Sequence, residues 1–177
     1  MRVIGGEFRS RRLKSIPGAA TRPTPDRLRG TLFDILGPRI EGARVIDAYA
    51  GTGAVGIEAL SRGAAHAWFL ERGRAALDAI RENLASLALE GRGTVVAGPA
   101  LLTLPRCPAG IVFLDPPYDH ERDYAGALAL LSEMRAPLSV AQHSVRLPLP
   151  EAHGCLRRIR TVRQGDNALS FYSPAEE

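Results

Sequence analysis

Cysteine is nearly missing from this chain: Cys107 and Cys155 stand alone in 177 residues, far apart and in no Cys-x-x-Cys pair. That excludes a disulfide framework and the usual zinc-ligand spacings. The four histidines are scattered, so no metal is expected. No apolar stretch approaches the ~18 residues of a membrane span. The start, Met1-Arg2-Val3-Ile4-Gly5-Gly6-Glu7, has no apolar signal core. The expectation is a cytoplasmic protein with no membrane partner. Lysine is equally scarce, because every basic residue except Lys14 is an arginine. Repeats, linkers and low-complexity segments are absent as well.

What remains is 45% hydrophobic and 24% charged, enough for one globular domain with a full core. Net charge is +4, a sign that favours an anionic partner. The excess is local. Through Arg29 the cations are Arg2, Arg9, Arg11, Arg12, Lys14, Arg22, Arg27 and Arg29, against only Glu7 and Asp26. This excess of +6 exceeds that of the whole chain. A concentrated patch suits a phosphate backbone, so Arg9, Arg11, Arg12, Lys14 and Arg22 are candidate nucleic-acid contacts. Arg2-Val3-Ile4 and Arg12-Leu13-Lys14-Ser15-Ile16 alternate around Gly5-Gly6 and predict a short hairpin or arm. In Thr21-Arg22-Pro23-Thr24-Pro25-Asp26, Thr24 is an N-cap candidate and Pro25 suits the first helical position. Leu28, Leu32, Ile35 and Leu36 mark the inner face of that helix, and Gly37-Pro38 stops it. Residues 1–36 thus form a basic arm and helix ahead of the main domain, 37–177.

The stretch Arg44-Val45-Ile46-Asp47-Ala48-Tyr49-Ala50-Gly51-Thr52-Gly53-Ala54-Val55-Gly56 organises that domain. An apolar strand ends at a carboxylate, a glycine-rich loop follows, and a helical pattern begins. The loop matches Gly-x-Gly-x-x-Gly, and Glu71 lies 20 residues beyond Gly51, where a ribose-binding acid is expected. A dinucleotide loop, however, keeps carboxylates away from its pyrophosphate. Asp47 sits four residues before the first glycine and suits a cationic or amine-bearing ligand instead. S-adenosylmethionine has an amine, a sulfonium and no phosphate. Asp47, Ala48, Gly51, Thr52, Gly53 and Glu71 are the candidate cofactor residues.

Further on, strands near 66–71 and 93–97 alternate with a helix near 74–89, which implies a parallel, doubly wound α/β sheet. Ile111-Val112-Phe113-Leu114 is a buried strand that runs into Asp115-Pro116-Pro117-Tyr118. Two prolines fix φ twice and remove two N–H donors, so the segment is stiff and presents carbonyls. An acid, fixed carbonyls and a ring suit a planar base with an amino group. Asp115 and the Pro116 carbonyl can accept its two hydrogens, and Tyr118 can stack on its face. A helix to about Arg135, a strand over 138–143 and a hairpin from 156–163 and 168–173 complete the chain.

With both motifs in view, the chain resembles the bacterial 16S ribosomal RNA guanine-N2 methyltransferases of the RsmD type. The resemblance runs through Arg2-Val3-Ile4-Gly5-Gly6-Glu7-Phe8, Thr21-Arg22-Pro23-Thr24, Leu32-Phe33-Asp34-Ile35-Leu36, residues 47–64 and Asp115-Pro116-Pro117-Tyr118. It implies a Rossmann-like class I methyltransferase fold. That fold has a seven-stranded, mostly parallel sheet, a C-terminal antiparallel hairpin and a short N-terminal RNA-binding extension. It also implies S-adenosylmethionine at Asp47, Gly51, Gly53 and Glu71, with 16S rRNA or a small-subunit assembly intermediate as partner. Two departures stand out. Val96-Ala97-Gly98-Pro99-Ala100 lacks the acid that relatives carry after strand three. Gln142-His143 replaces the Glu-His of strand five. A DNA adenine-N6 methyltransferase, a non-catalytic RNA-binding module and a nucleotide dehydrogenase are the rival readings.

Overall fold

A computed structural model describes residues 1–16, 25–108, 110–117 and 121–175. The expected roles of Arg22, Thr24 and Tyr118 fall outside these residues. Helix α1 (Asp26–Leu36) buries Leu28, Leu32, Phe33 and Leu36. Its N-cap position is Pro25 and not Thr24, so the helix starts one residue later than its sequence pattern predicts. Gly37, at φ 49°, ends it with an N–H to the Phe33 carbonyl.

From there strands and helices alternate: β1 (Arg44–Ala48), α2 (Ala54–Ser61), β2 (His66–Glu71), α3 (Arg74–Ser86), β3 (Gly93–Ala97), the single turn α4 (Ala100–Thr103), β4 (Ile111–Leu114) and α5 (Glu121–Glu133). Strands β5 (Leu138–Ser144), β6 (Ala152–His153), β7 (Leu156–Gln164) and β8 (Asn167–Pro174) close the chain. The sheet order is β3-β2-β1-β4-β5-β8-β7-β6. The first five strands are parallel, and β8, β7 and β6 join antiparallel. The fold is the expected class I methyltransferase arrangement with one strand more. The eighth strand, β6, has two residues and pairs Ala152 with Arg157 and His153 with Leu156, too short a run for any periodicity to reveal.

Period-two alternation divides the apolar side chains between two cores, one on each face of the sheet. Val45, Phe69, Phe113 and Val140 pack with Leu28, Leu32, Ile57, Leu60 and Ile80. Ile46, Leu70, Val112, Leu114 and Ala141 pack with Leu128, Leu131 and Tyr172. No helix among the described residues is long and apolar enough to cross a membrane. The strand order reverses between β1 and β4, where Ala48 pairs with Leu114. Asp115 therefore leaves the sheet beside the end of β1, at the switch point where such sheets place their ligands.

The arm belongs to the first core through Val3 and Leu13. Its expected hairpin reduces to one bridge, Arg2 with Arg12, plus Val3 N–H to Arg11 O (2.9 Å) and Ser10 N–H to Val3 O (2.9 Å). Docking on α2 replaces strand pairing. The fully buried Glu58 carboxylate accepts the N–H groups of Ile4 and Gly5, each at 2.8 Å, and Arg62 Nε at 2.8 Å. Ser61 donates its hydroxyl to Gly5 O (2.6 Å) and accepts Phe8 N–H (2.9 Å). Gly6, at φ 77°, lies so close that a Cβ would stand 1.9 Å from Ser61 O. Arg29 is fully buried beneath the arm. Its Nη2 donates to Arg2 O (2.6 Å) and Asp26 Oδ1 (3.0 Å), and its Nε lies 3.8 Å from Glu58. One of the eight local cations is thus a core residue.

Glu58→Ala strands two backbone donors and two guanidinium groups in a dry site. Removing one partner of a buried ion pair costs ~3–5 kcal/mol. The variant is expected to lose stability of that order in urea denaturation and to expose the arm to proteolysis. An unchanged midpoint would show that the arm is held by its apolar contacts alone.

Candidate active site

Between β1 and α2 the backbone turns left-handed three times in five residues, at Tyr49 (φ 64°), Gly51 (φ 57°) and Gly53 (φ 80°). Ala50 N–H to Leu70 O (3.0 Å) continues the β1–β2 ladder into the loop, and Gly53 N–H to Ala50 O (2.8 Å) closes a turn. The glycines divide the work. A Cβ at Gly53 would meet the Phe69 ring at 3.2 Å, and one at Gly56 would meet it at 2.3 Å. Their bareness serves packing of α2 on β2. A Cβ at Gly51 would enter open space, so Gly51 is the one of the three whose face is open.

Asp47 is placed differently from the amine partner expected from sequence. It is 3% exposed, and its Oδ2 accepts Gly56 N–H at 2.8 Å, which closes the loop from within. Burial pushes its carboxyl up to about 8; the Gly56 hydrogen bond opposes this, and the charges of Asp115 and Glu71 reinforce it. Ala48 is buried in the ladder, paired with Leu70 and Leu114. The exposed carboxylate role falls to Glu71, half-buried at the end of β2. Glu71 accepts Gly51 N–H (2.9 Å) on one oxygen and the N–H groups of Arg72 and Gly73 (2.8 Å each) on the other. Across the switch point Asp115 is half-buried, Pro116 buried and Pro117 exposed.

This donor set fits S-adenosylmethionine. An open backbone face at Gly51 beside the Glu71 carboxylate suits ribose hydroxyls. Two carboxylates around the loop suit a ligand with cationic groups and oppose a pyrophosphate. At the position of the missing acid after β3, Gly98 N–H is engaged by Glu71 O at 2.9 Å. At the end of β5, Gln142 and His143 are buried. Burial lowers the His143 pKa. Its Nδ1 contacts the carbonyls of Ser144 (2.9 Å) and Leu147 (3.0 Å), and its Nε2 contacts the Ser170 hydroxyl at 2.8 Å. These bonds hold the His143 ring in the sheet, whereas Gln142 Oε1 is buried with no hydrogen-bond partner among the described residues.

The basic arm borders the same loop. Arg9, Arg11, Arg12 and Lys14 are exposed. Lys14 pairs with Glu82, and Arg11 reaches Ser86 O at 3.4 Å. Arg9 and Arg12 have no ion-pair partner among the described residues. A groove of about 550 Å³ is lined by Met1, Arg2, Ser10, Arg12, Leu13 and Asp26. The Met1 sulfur lies 3.8 Å from the Thr52 hydroxyl, and the Asn83 side chain bonds both Lys14 and the Thr52 carbonyl. Asn83 escaped sequence reasoning, although it is a polar side chain inside the apolar stripe Leu77, Ile80, Leu84, Leu87. Glu58 and Arg29 escaped because nothing local separates a buried charge from a solvated one.

Asp47 also sets a pH dependence. Its folded pKa is raised above the unfolded value, so the folded state binds more protons from about pH 4 to pH 8, and stability from this group falls as pH rises through that window. Asp47→Asn keeps an acceptor for Gly56 and cannot ionise. Thermal unfolding is expected to show the variant gaining on wild type with rising pH, by a few kcal/mol at pH 8 relative to pH 4. Parallel curves would place the proton elsewhere.

A family described as conserved hypothetical protein 95 matches residues 1–173. The chain is 36% identical over 181 residues to "Putative rRNA methyltransferase YlbH" of Bacillus subtilis, covering 97% of this chain and 98% of that one. It is 44% identical over 120 residues to "Ribosomal RNA small subunit methyltransferase D" of Escherichia coli, covering 67% of this chain and 60% of the relative. A solved structure described as "Putative methyltransferase yhhF from Escherichia coli" superposes with a TM-score of 0.85 at 33% identity, over 100% of this chain and 99% of that one. Family match, fold and glycine loop agree along nearly the whole length: the chain belongs to the conserved hypothetical protein 95 family, the methyltransferases of the RsmD type.

Proposed function

We propose that this chain transfers a methyl group from S-adenosylmethionine to the exocyclic N2 of a guanine in 16S ribosomal RNA, acting as a cytoplasmic monomer on the RNA or on a small-subunit assembly intermediate. The observation that carries this reading is the strand register. Ala48 pairs with both Leu70 and Leu114, which brings Glu71 and Asp115 out on either side of one glycine loop. S-adenosylmethionine supplies a methyl group made electrophilic by its sulfonium. Gly51 and Glu71 hold the cofactor, while Asp47 and Thr52 shape the loop that presents it.

The substrate nitrogen needs help because its lone pair is delocalised into the guanine ring. Asp115 and the Pro116 carbonyl accept its two amino hydrogens and localise the pair. Tyr118 stacks on the base, and Pro117 stiffens the turn between them. Alignment of this kind supplies up to ~7–11 kcal/mol in favourable cases. The new N–C bond forms as the methyl–sulfur bond breaks and S-adenosylhomocysteine leaves; the methylated nitrogen is then acidic, and Asp115 takes the proton or passes it to water. Unstacking the base costs a few kcal/mol. Phosphate contacts from Arg9, Arg11, Arg12, Lys14 and Arg22 offset that cost.

Labelled-methyl transfer to small-subunit RNA lacking the mark tests this, with nucleoside analysis of the product. Wild type is expected to yield N2-methylguanosine, and Asp115→Ala to lose about 10²–10⁴-fold in kcat. An equally active Asp115→Ala overturns the mechanism, and label in adenine overturns the substrate.

A further inference from the structure

We propose that Asn83 is a positioning residue that couples the cofactor loop to the RNA-binding arm, so that cofactor and RNA each tighten the binding of the other. The proposal rests on the functional reading above. Asn83 is 2% exposed on α3, between the core residues Ile80 and Leu84. Its Oδ1 accepts Lys14 N–H at 2.7 Å. Its Nδ2 donates to Lys14 O at 3.2 Å and to Thr52 O at 3.0 Å. One amide therefore reads both polar backbone groups of an arm residue and a carbonyl of the cofactor loop.

Each end of this bridge is placed to matter. Thr52 lies between two left-handed glycines, Gly51 and Gly53, and Gly51 is the glycine with an open face. The Thr52 carbonyl shares its peptide plane with the Gly53 N–H, which closes the turn on Ala50 O at 2.8 Å, so rotating it disturbs the turn that carries Gly51. Lys14 sits between the anchored Leu13 and an exposed Ser15, at the end of the run that carries Arg11 and Arg12. Phosphate contacts that order this run present the Lys14 N–H and C=O squarely to the Asn83 amide. The amide in turn fixes its remaining N–H on Thr52. A buried side chain whose donors and acceptor are all engaged has little freedom to satisfy one end without the other. Linkage then requires the effect to run equally in both directions.

The test is calorimetric titration of S-adenosylhomocysteine into the full chain alone and into the chain saturated with unmodified small-subunit ribosomal RNA. Wild type is expected to bind at least ~5-fold tighter with RNA present. Asn83→Ala releases both ends and is expected to bring this ratio to about one. Asn83→Asp keeps the acceptor for Lys14 N–H and loses the donors to Lys14 O and Thr52 O. It is expected to retain RNA affinity while the ratio collapses, and it decides the matter if Asn83→Ala does not fold. A wild-type ratio of one overturns the coupling and leaves the functional reading intact. A ratio that survives both variants also overturns it and makes Asn83 a purely structural amide. Wild type that binds no S-adenosylhomocysteine under either condition overturns the functional reading and the coupling together.

Discussion

The arrangement depends on one carboxylate that never sees water. Glu58 sits in the middle of α2, whose first turn follows directly on the glycine loop, and it gathers two backbone N–H groups of the arm and two arginines. A dry, charged cluster is a costly way to gain stability, because desolvation consumes most of the Coulomb attraction. It is an effective way to set position, because few other geometries satisfy every partner at once. The basic arm is thereby bound to the helix that presents the loop. Without that clamp the arm keeps only the apolar anchors Val3 and Leu13 and its hydrogen bonds to Ser61 and Asn83.

The three acids at the sheet rim show how burial separates roles among identical groups. Asp47 is shut inside and pushed towards its neutral form, where it holds Gly56. Glu71 keeps an exposed edge and accepts three N–H groups beside the loop. Asp115 stands on the far side of the switch point, carried by a strand that prolines then stiffen. A neutral acid between two ionisable ones also lowers the repulsion that would otherwise spread the rim apart.

The sequence was most legible where periodicity is long. The α/β alternation, the strands beside Asp47, Glu71 and Asp115 and the C-terminal hairpin could be read in advance, because each is a run of apolar or alternating residues closed by a turn signal, although β1 runs one residue beyond Asp47, to Ala48. Two-residue β6 and single-turn α4 carry too little pattern to be read. Arg29 shows a deeper limit. In a sequence it is one more cation of a basic segment, and only the closure of the arm over α1 makes it the largest fully buried side chain. The glycines were legible as a motif but not as individuals. That Gly53 and Gly56 face Phe69, and only Gly51 faces open space, depends on how α2 lies on β2.

The loop itself gives the strongest argument that this rim is built for a ligand. Tyr49 is not a glycine, yet it is held at φ 64°, a conformation that costs of order 1–3 kcal/mol. Such strain persists only where the surroundings over-determine it. Here four hydrogen bonds do so at once: Ala50 N–H to Leu70 O, Gly51 N–H to Glu71, Gly56 N–H to Asp47, and the Asn83 amide to Thr52 O. A loop serving only to connect a strand to a helix gains nothing from four independent restraints. A loop that must offer bare backbone at Gly51 in one fixed position gains the ordering entropy that a ligand would otherwise have to supply on binding.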